Sequence, residues 1–251
     1  MTDSVERFSN RVANYVKYRP GYPPEMMDFF RDQLGLTESS IVADIGSGTG
    51  LSAKPFVENG NIVFGVEPNA AMREAAEEFL KEFSNFRSVD GTSTESTLPD
   101  DSVDLIVAAQ AFHWFEPETT REEFKRILKP DGHVALIWNE RQTDSTLFLR
   151  EYEQLLLKYG RDYVEVRHEQ INEQVLSVFF RAEFEKASFP NEQEFDFDGL
   201  KGRLLSSSYM PDEADPDYEP LVKELATLFA KYAERDRIKV FYDTNIFYCA
   251  F

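Results

Sequence analysis

Apolar positions fall into two alternating kinds of run along this chain. Ile41–Ile45, Ile62–Val66, Phe86–Val89, Val103–Ala108 and His133–Trp138 are short, largely β-branched stretches that read as strands covered on both faces. Between them, Leu51–Asn59, Ala70–Phe83 and Thr119–Leu128 carry apolar residues at helical spacing, and the last is closed by the turn signal Lys129-Pro130-Asp131-Gly132. Alternation of this kind predicts a parallel sheet with helices on both faces. Upstream, Phe8, Val12, Tyr15 and Val16 place a helix over about Ser4–Tyr18, which Arg19-Pro20-Gly21-Tyr22-Pro23-Pro24 interrupts. A second helix follows over Pro24–Leu34 and stops at Gly35.

Downstream, Ser145 to about Gln174 reads as helix in two pieces, broken near Gly160, and Glu183–Phe189 as a sixth strand. Phe197–Ser207 and Tyr218–Glu234 read as helices separated by a proline-bearing connection. Lys239–Tyr242 and Asn245–Phe251 read as the two arms of a hairpin around Asp243-Thr244. The acids and amide Asp44, Glu67, Asp90 and Gln110 fall at the carboxyl ends of four of these strands. Open α/β sheets bind their ligands at those ends.

The first strand runs directly into Gly46-Ser47-Gly48-Thr49-Gly50. Glycine reaches backbone angles other residues avoid and lets a ligand approach the main chain. The amides that open the next helix face the same spot. The G-x-G-x-G spacing departs from the dinucleotide pattern G-x-G-x-x-G, and no Gly-Lys-Ser/Thr follows, which excludes a P-loop. A carboxylate at Asp44 would repel a pyrophosphate and suits a ligand bearing positive charge. Glu67 ends the second strand, about 20 residues past the loop, where a ribose-binding carboxylate belongs. A nucleoside joined to a cationic amino acid, S-adenosylmethionine, meets both requirements.

These residues resemble a known family. Val42-Ala43-Asp44-Ile45-Gly46-Ser47-Gly48-Thr49-Gly50 and Gly65-Val66-Glu67-Pro68-Asn69 are similar to the first two motifs of class I S-adenosylmethionine-dependent methyltransferases. Ala109-Gln110-Ala111-Phe112-His113-Trp114-Phe115 and Ser206-Ser207-Ser208-Tyr209-Met210-Pro211 resemble the small-molecule enzymes grouped with ubiquinone/menaquinone and trans-aconitate methyltransferases. The resemblance spans nearly the whole chain. It implies a single domain over residues 1–251 on a doubly wound, seven-stranded, mainly parallel Rossmann-like sheet. In that fold a reversed last strand inserts beside the sixth, which suits Ile246-Phe247-Tyr248. It also implies a mostly helical cap drawn from about residues 1–35, 140–180 and 195–235.

Composition narrows the partners. The chain has 251 residues, 42% of them hydrophobic, so one substantial core is affordable. With 46 acids against 27 Lys and Arg the net charge is −19. That balance, with no basic cluster, argues against nucleic acid or an anionic membrane as partner. No window reaches the ~20 apolar residues that span a bilayer. One cysteine, Cys249, and an N-terminus without an apolar core suit a reducing cytoplasm. No His, Cys, Asp or Glu pair has metal-ligand spacing, so no metal is expected. Oligomeric state is not readable.

For the cofactor, the candidates are Asp44, Gly46, Ser47, Gly48, Gly50, Glu67, Pro68, Thr92, Ser93, Gln110, Trp114 and Arg19. Asp44 faces the methionyl part or caps the glycine turn. Glu67 accepts from the ribose diol. Thr92 and Ser93 lie where the family holds the adenine, whereas Asp90 has the simpler reading of a solvated loop acid. Gln110 would reach the methionyl group. Trp114 either lies beside the sulfonium and adenine or packs under the following helix. The matching residue places Arg19 near the cofactor carboxylate. Tyr15, Tyr18, Tyr22 and Tyr209 are candidates for the substrate pocket, the first three with core packing as the alternative. His113 is the candidate general base, with pocket closure or hydrogen-bond donation as its other readings. His133 and His168 sit in ordinary element positions.

The reading is methyl transfer from S-adenosylmethionine to a small molecule, at oxygen or carbon, with a carboxylic acid among the possible acceptors. A nicotinamide-dependent oxidoreductase and a non-catalytic S-adenosylmethionine-binding module are the alternatives. The glycine spacing and Asp44 count against the first, and the aromatic residues with Gln110-His113-Trp114 against the second.

Overall fold

The computed structural model describes residues 18–161, 163, 173–207 and 209–251. The helix expected over residues 4–18, apart from its last residue, lies outside them. So do Tyr15, His168, Ser208 and most of the helical piece expected after Gly160.

Helix α1 (Pro24–Leu34) opens on proline, whose fixed φ and missing N–H suit a first turn, and closes on Gly35 at φ +66°. Strand β1 (Ile41–Ile45) follows, then α2 (Ala53–Glu58), β2 (Ile62–Val66), α3 (Ala70–Phe79), β3 (Phe86–Val89) and β4 (Val103–Ala109). A short 3-10 turn (Phe112–Trp114) leads to α4 (Pro117–Ile127) and β5 (Leu128–Arg141). Next come α5 (Leu147–Tyr159), α6 (Glu173–Phe180), β6 (Glu185–Phe195), α7 (Phe197–Leu205), α8 (Tyr218–Tyr232) and β7 (Ile238–Ala250).

The seven strands form one sheet in the order β3-β2-β1-β4-β5-β7-β6. β1 pairs in parallel with both β2 and β4, so the chain reverses its winding direction between β1 and β4. That switch point opens a crevice at the carboxyl edge of the sheet. β7 runs antiparallel to β5 and β6, as the family resemblance implies.

Successive strand residues face opposite sides, and the buried residues divide accordingly. Ala43, Ile45, Ile106, Ala108, Leu136 and Trp138 meet Phe124 and Ile127 of α4 and Phe179 and Phe180 of α6. Val42, Leu105, Val107, Ala109, Ala135 and Ile137 meet Met26 and Phe30 of α1 and Phe56 of α2. A third cluster joins α5, α7 and α8 to the first half of β7 through Leu149, Leu155, Leu204, Leu225 and Val240.

Three expectations are corrected. First, Asp243-Thr244 is no hairpin turn: β7 is one continuous strand, and Asp243 pairs with both Glu140 and Pro190. The polar pair is satisfied sideways, since Gln142 Nε2 donates to Asp243 Oδ1 (3.0 Å) and Thr244 Oγ1 to Asn139 Oδ1 (2.6 Å). Second, β5 runs through the Lys129–Gly132 signal and on to Arg141. Between the pairs Val103↔Leu128 and Leu105↔His133 the extra residues bulge, with Asp131 at φ +65°. Third, β6 ends at Phe195 rather than Phe189. Its exposed, alternating residues and Pro190 are those of an edge strand.

Candidate functional site

Gly46 and Ser47 leave β1 with both amides donating to Val66 O, at 2.8 and 3.2 Å. This ties the loop to the end of β2. All three loop glycines have positive φ, but their missing side chains serve different ends. A Cβ on Gly46 would stand 2.7 Å from Ala111 Cβ and 3.2 Å from the Phe115 ring. One on Gly50 would stand 2.8 Å from Leu80 Cδ1. At Gly48, φ +53°, a Cβ would meet no atom of the described residues within 4 Å. Gly46 and Gly50 are therefore small so that the protein can pack against the loop, and Gly48 alone of the three borders open space. Accordingly, Gly46→Ala combines a left-handed backbone with a clash and should cost at least ~2 kcal/mol, whereas Gly48→Ala should cost ~1 kcal/mol. Denaturant unfolding of the two variants checks this; equal costs would contradict the division.

Asp44 is the penultimate residue of β1 and is wholly buried. Its Oδ2 accepts from Ser52 Oγ at 2.6 Å, and its buried Oδ1 has no hydrogen-bond partner among the described residues. Ser52 stands at the N-cap of α2 but leaves the helix amides uncapped, its hydroxyl being turned to Asp44. Burial pushes the Asp44 carboxyl up to about 7; the Ser52 hydrogen bond opposes this and the neighbouring Glu67 charge adds to it.

Glu67 follows β2 directly, and its carboxylate spans the loop. Oε2 accepts from Gly48 N (3.1 Å) and Oε1 from Asn69 N (2.9 Å). Burial raises its pKa against those two bonds and the charge of Arg73. Asn69 then caps α3 by accepting from the amides of Ala71 and Met72. Local structure thus holds Glu67 and Pro68 between a strand end and a capped helix. Arg73 donates to Glu67 O (2.8 Å) and pairs with Asp90 (3.0 Å), which gives that exposed loop acid a partner.

Beyond β3, the Thr92 hydroxyl accepts from the amides of Thr94 and Glu95, and Ser93 Oγ lies 3.0 Å from Thr120 Oγ1 of α4. Both side chains bond their own surroundings. Gln110 follows β4 at φ +56°, its amide donating to Ile137 O and its Nε2 to Asn139 O (3.3 Å). In the 3-10 turn Phe112 points into the core, whereas His113 and Trp114 are exposed with their rings 4.8 Å apart. Trp114 is 44% exposed.

The candidates from the N-terminal segment diverge. Arg19 Nη2 donates to Ser206 O (3.3 Å) at the end of α7. The Tyr18 ring lies against Gly202 of α7, where any side chain would collide with it. Tyr22 packs on the core face beside α1. Tyr209 stacks obliquely with Tyr163, ring centroids 5.0 Å apart.

Sequence reasoning passed over Asn139. Its amide nitrogen donates to Gly21 O (3.0 Å) and its Oδ1 accepts from Thr244 and Asn191, which joins the N-terminal segment to the carboxyl ends of β5 and β7. The run Asn139-Glu140-Arg141, polar and directly after an apolar strand, was the available signal. Arg203 was also passed over, because one basic residue in a last helical turn is ordinary.

Comparison with known proteins fits this architecture. A family model described as a methyltransferase domain matches residues 43–136, the span from β1 to β5. A methyltransferase-like protein of Schizosaccharomyces pombe, itself uncharacterized, is 27% identical over 250 residues, covering 97% of this chain and 94% of that one. An uncharacterized methyltransferase of Mycobacterium bovis is 35% identical over 161 residues, covering 64% of this chain and 61% of that one. Among solved structures, an Anaeromyxobacter dehalogenans protein provisionally described as a type II methyltransferase superposes with a TM-score of 0.70. It is 19% identical, with 93% of this chain and 98% of that one covered, and so speaks to the fold.

Proposed function

From the premise that this chain is a class I S-adenosylmethionine-dependent methyltransferase, we infer that its methyl acceptor is a small molecule, methylated at oxygen or carbon. The observation that carries the reading is the pairing of two carboxylates at adjacent strand ends around the open face of Gly48. One of them, Asp44, keeps a buried oxygen without a partner. A buried acceptor atom left unsatisfied is costly, and a cationic donor removes the cost. These residues fit the cofactor on that ground.

When bound, S-adenosylmethionine supplies an electrophilic methyl on a sulfonium. The chain's own residues bind, orient and exclude water. Glu67 has lone pairs beyond those used by Gly48 and Asn69, and accepts from the ribose diol. Asp44 offers its charge to the methionyl ammonium. Gly46, Ser47, Gly48 and Gly50 present main chain, with Pro68, Thr92, Ser93, Gln110, Trp114 and Arg19 completing the cofactor set. Tyr18, Tyr22 and Tyr209 wall the acceptor site. In this reading residues 1–251 form one domain, with α5, α7, α8 and the N-terminal segment as the cap.

A small acceptor is favoured over a macromolecule by the net charge of −19, which opposes phosphate backbones. No helix among the described residues is long and apolar enough to cross a membrane. The single cysteine favours a cytoplasmic location. Calorimetric titration with S-adenosylmethionine and with nicotinamide dinucleotides, followed by a methyl-transfer assay on small acids and quinols, tests the assignment. Binding of the dinucleotides alone would defeat it.

His113 is the proposed general base, a role an acceptor hydroxyl or acidic carbon requires and a carboxylate oxygen does not. His113→Ala is expected to lower turnover of a hydroxyl acceptor about 100-fold. Turnover of a carboxylate acceptor should be unaffected. A hydroxyl acceptor turned over equally by wild type and variant from pH 5 to 9 would strip His113 of the role.

A further inference from the structure

The strands do not all end at one level. β4 stops at Ala109, which pairs with Ile137, whereas β5 and β7 stay paired through Asn139↔Thr244 to Arg141↔Tyr242. β6 runs alongside β7 past the same level. These three strands therefore overhang the end of β4 as a wall beside the crevice. Residues two apart along a strand share a face, so Asn139 looks to the same side as Ile137. The registers Ala109↔Ile137 and Asp44↔Val107 put Asp44 on that side as well. Asn139 itself is buried.

The N-terminal segment from Tyr18 to Gly21 hangs on this wall by its carbonyls. Asn139 Nδ2 donates to Gly21 O (3.0 Å) and Pro20 O (3.4 Å). Asn191 Nδ2 donates to Gly21 O (2.9 Å) and Gln193 Nε2 to Tyr18 O (3.2 Å). On its other side Asn139 Oδ1 accepts from Thr244 Oγ1 (2.6 Å) and Asn191 Nδ2 (3.2 Å). Both N–H groups and both lone-pair sites of the Asn139 carboxamide are thus engaged. Aspartate has the same shape but no donor, and would turn a charged oxygen toward two carbonyl oxygens.

The segment carries Tyr18 and leads into Tyr22, two side chains of the proposed acceptor wall. Asn139 also meets the proposed cofactor set, but through its main chain, since Gln110 Nε2 donates to Asn139 O (3.3 Å). Arg19 is held apart from Asn139, by Ser206 O at the end of α7. A change of the Asn139 side chain therefore touches the acceptor wall and spares the bonds of Gln110 and Arg19.

We propose that Asn139 is a positioning residue for methyl transfer. Its carboxamide fixes Pro20 and Gly21 against the overhanging strands and so sets where Tyr22 and Tyr18 meet the acceptor. The role in transfer rests on the methyltransferase reading; the hold on the segment does not. Neutral amides suit the task, because they fix carbonyl groups without burying a charge beside a cationic cofactor. Alignment of the acceptor is what the wall supplies, so its loss falls on transfer and leaves cofactor binding intact.

The test uses the full chain, with nitroxide labels on Gly21→Cys and Lys125→Cys and their separation read by pulsed electron resonance. A Cβ at Gly21 meets no atom of the described residues within 4 Å, and Lys125 is exposed on α4, across the sheet. Cys249 is buried, and burial pushes its thiol up to about 11 against the opposing Arg121 charge, so it takes no label. Asn139→Asp should broaden the distance distribution about twofold, and so should Asn139→Ala, which buries no charge. Thr244→Val also removes a buried bond but keeps both donors to the segment, and should leave the distribution sharp. With catechol, benzoate and succinate as acceptor probes, Asn139→Asp should lower kcat/KM about 30-fold. Its calorimetric S-adenosylmethionine affinity should stay within about threefold of wild type at unchanged stoichiometry, which a merely misfolded variant would not show. An equally sharp distribution in both Asn139 variants overturns the proposal, whether or not a probe is methylated. Equal broadening in Thr244→Val, or broadening with kcat/KM unchanged, overturns it as well. A wild type without S-adenosylmethionine affinity would instead sink the methyltransferase reading and leave the hold of Asn139 on the segment to the distance measurement.

Discussion

Glu67→Ala is expected to weaken S-adenosylmethionine binding about 100-fold, the largest single-residue effect on the cofactor. The variant loses the carboxylate proposed to accept from the ribose, and hydrogen bonds to charged groups are worth ~1.5–3 kcal/mol each. It also releases the amides of Gly48 and Asn69, while Gly46 and Ser47 keep the loop tied to Val66 O at the end of β2. Glu67→Gln separates the two contributions. One amide oxygen can still accept from Gly48 or Asn69, but the charge is gone, and an intermediate loss of ~10-fold is expected. Isothermal titration checks both variants. Affinity within threefold of wild type for Glu67→Ala would remove the ribose assignment.

Asp44→Asn is expected to act in opposite directions on stability and on binding. In the folded chain the Asp44 carboxyl titrates at about 7 because it is buried, against 3.8 when exposed. The folded state therefore holds the extra proton between those values, and stability falls as pH rises through the window from about 4 to about 7. The stabilisation is complete below the lower value and lost above the upper one. Three pH units correspond to roughly 4 kcal/mol at most. Asparagine cannot ionise, so at pH 8 the cofactor-free variant should exceed wild type by ~2 kcal/mol, after allowance for an imperfect bond to Ser52. A rise in melting temperature of about 5 °C follows.

Cofactor affinity should meanwhile fall more than tenfold at pH 8, since the ammonium group loses its counter-charge. In wild type, affinity should climb from pH 6 to pH 8 as Asp44 ionises, and the variant should lose that slope. A slope that survives in Asp44→Asn would assign it to another group. A variant that is less stable at pH 8 would contradict the burial cost.

The local sequence was enough for the strands and for the acids at their ends. β1, β2 and β3 occupy the ranges their apolar runs predict, and Asp44, Glu67 and Gln110 stand at the carboxyl edge. Both features depend on neighbours a few residues away: a continuous β-branched run, a glycine turn, a capping Asn69. The reversed seventh strand came from family resemblance, while its continuity through Asp243-Thr244 did not. Two adjacent polar residues are indistinguishable from a turn until Gln142 and Asn139 are beside them.

By itself, then, the sequence determined the alternating sheet and the loop with its two carboxylates, because periodicity and turn chemistry are short-range properties. Only the tertiary structure decided which loop glycines are small for packing and which borders open space, since Ala111, Phe115 and Leu80 come from elsewhere in the chain. It alone separated Arg141, paired with Glu153, from Arg203, which donates to the hydroxyls of Tyr242 and Ser207. Charge compensation is a matter of a few ångströms in space, and α7 reaches β5 and β7 only once the chain has folded.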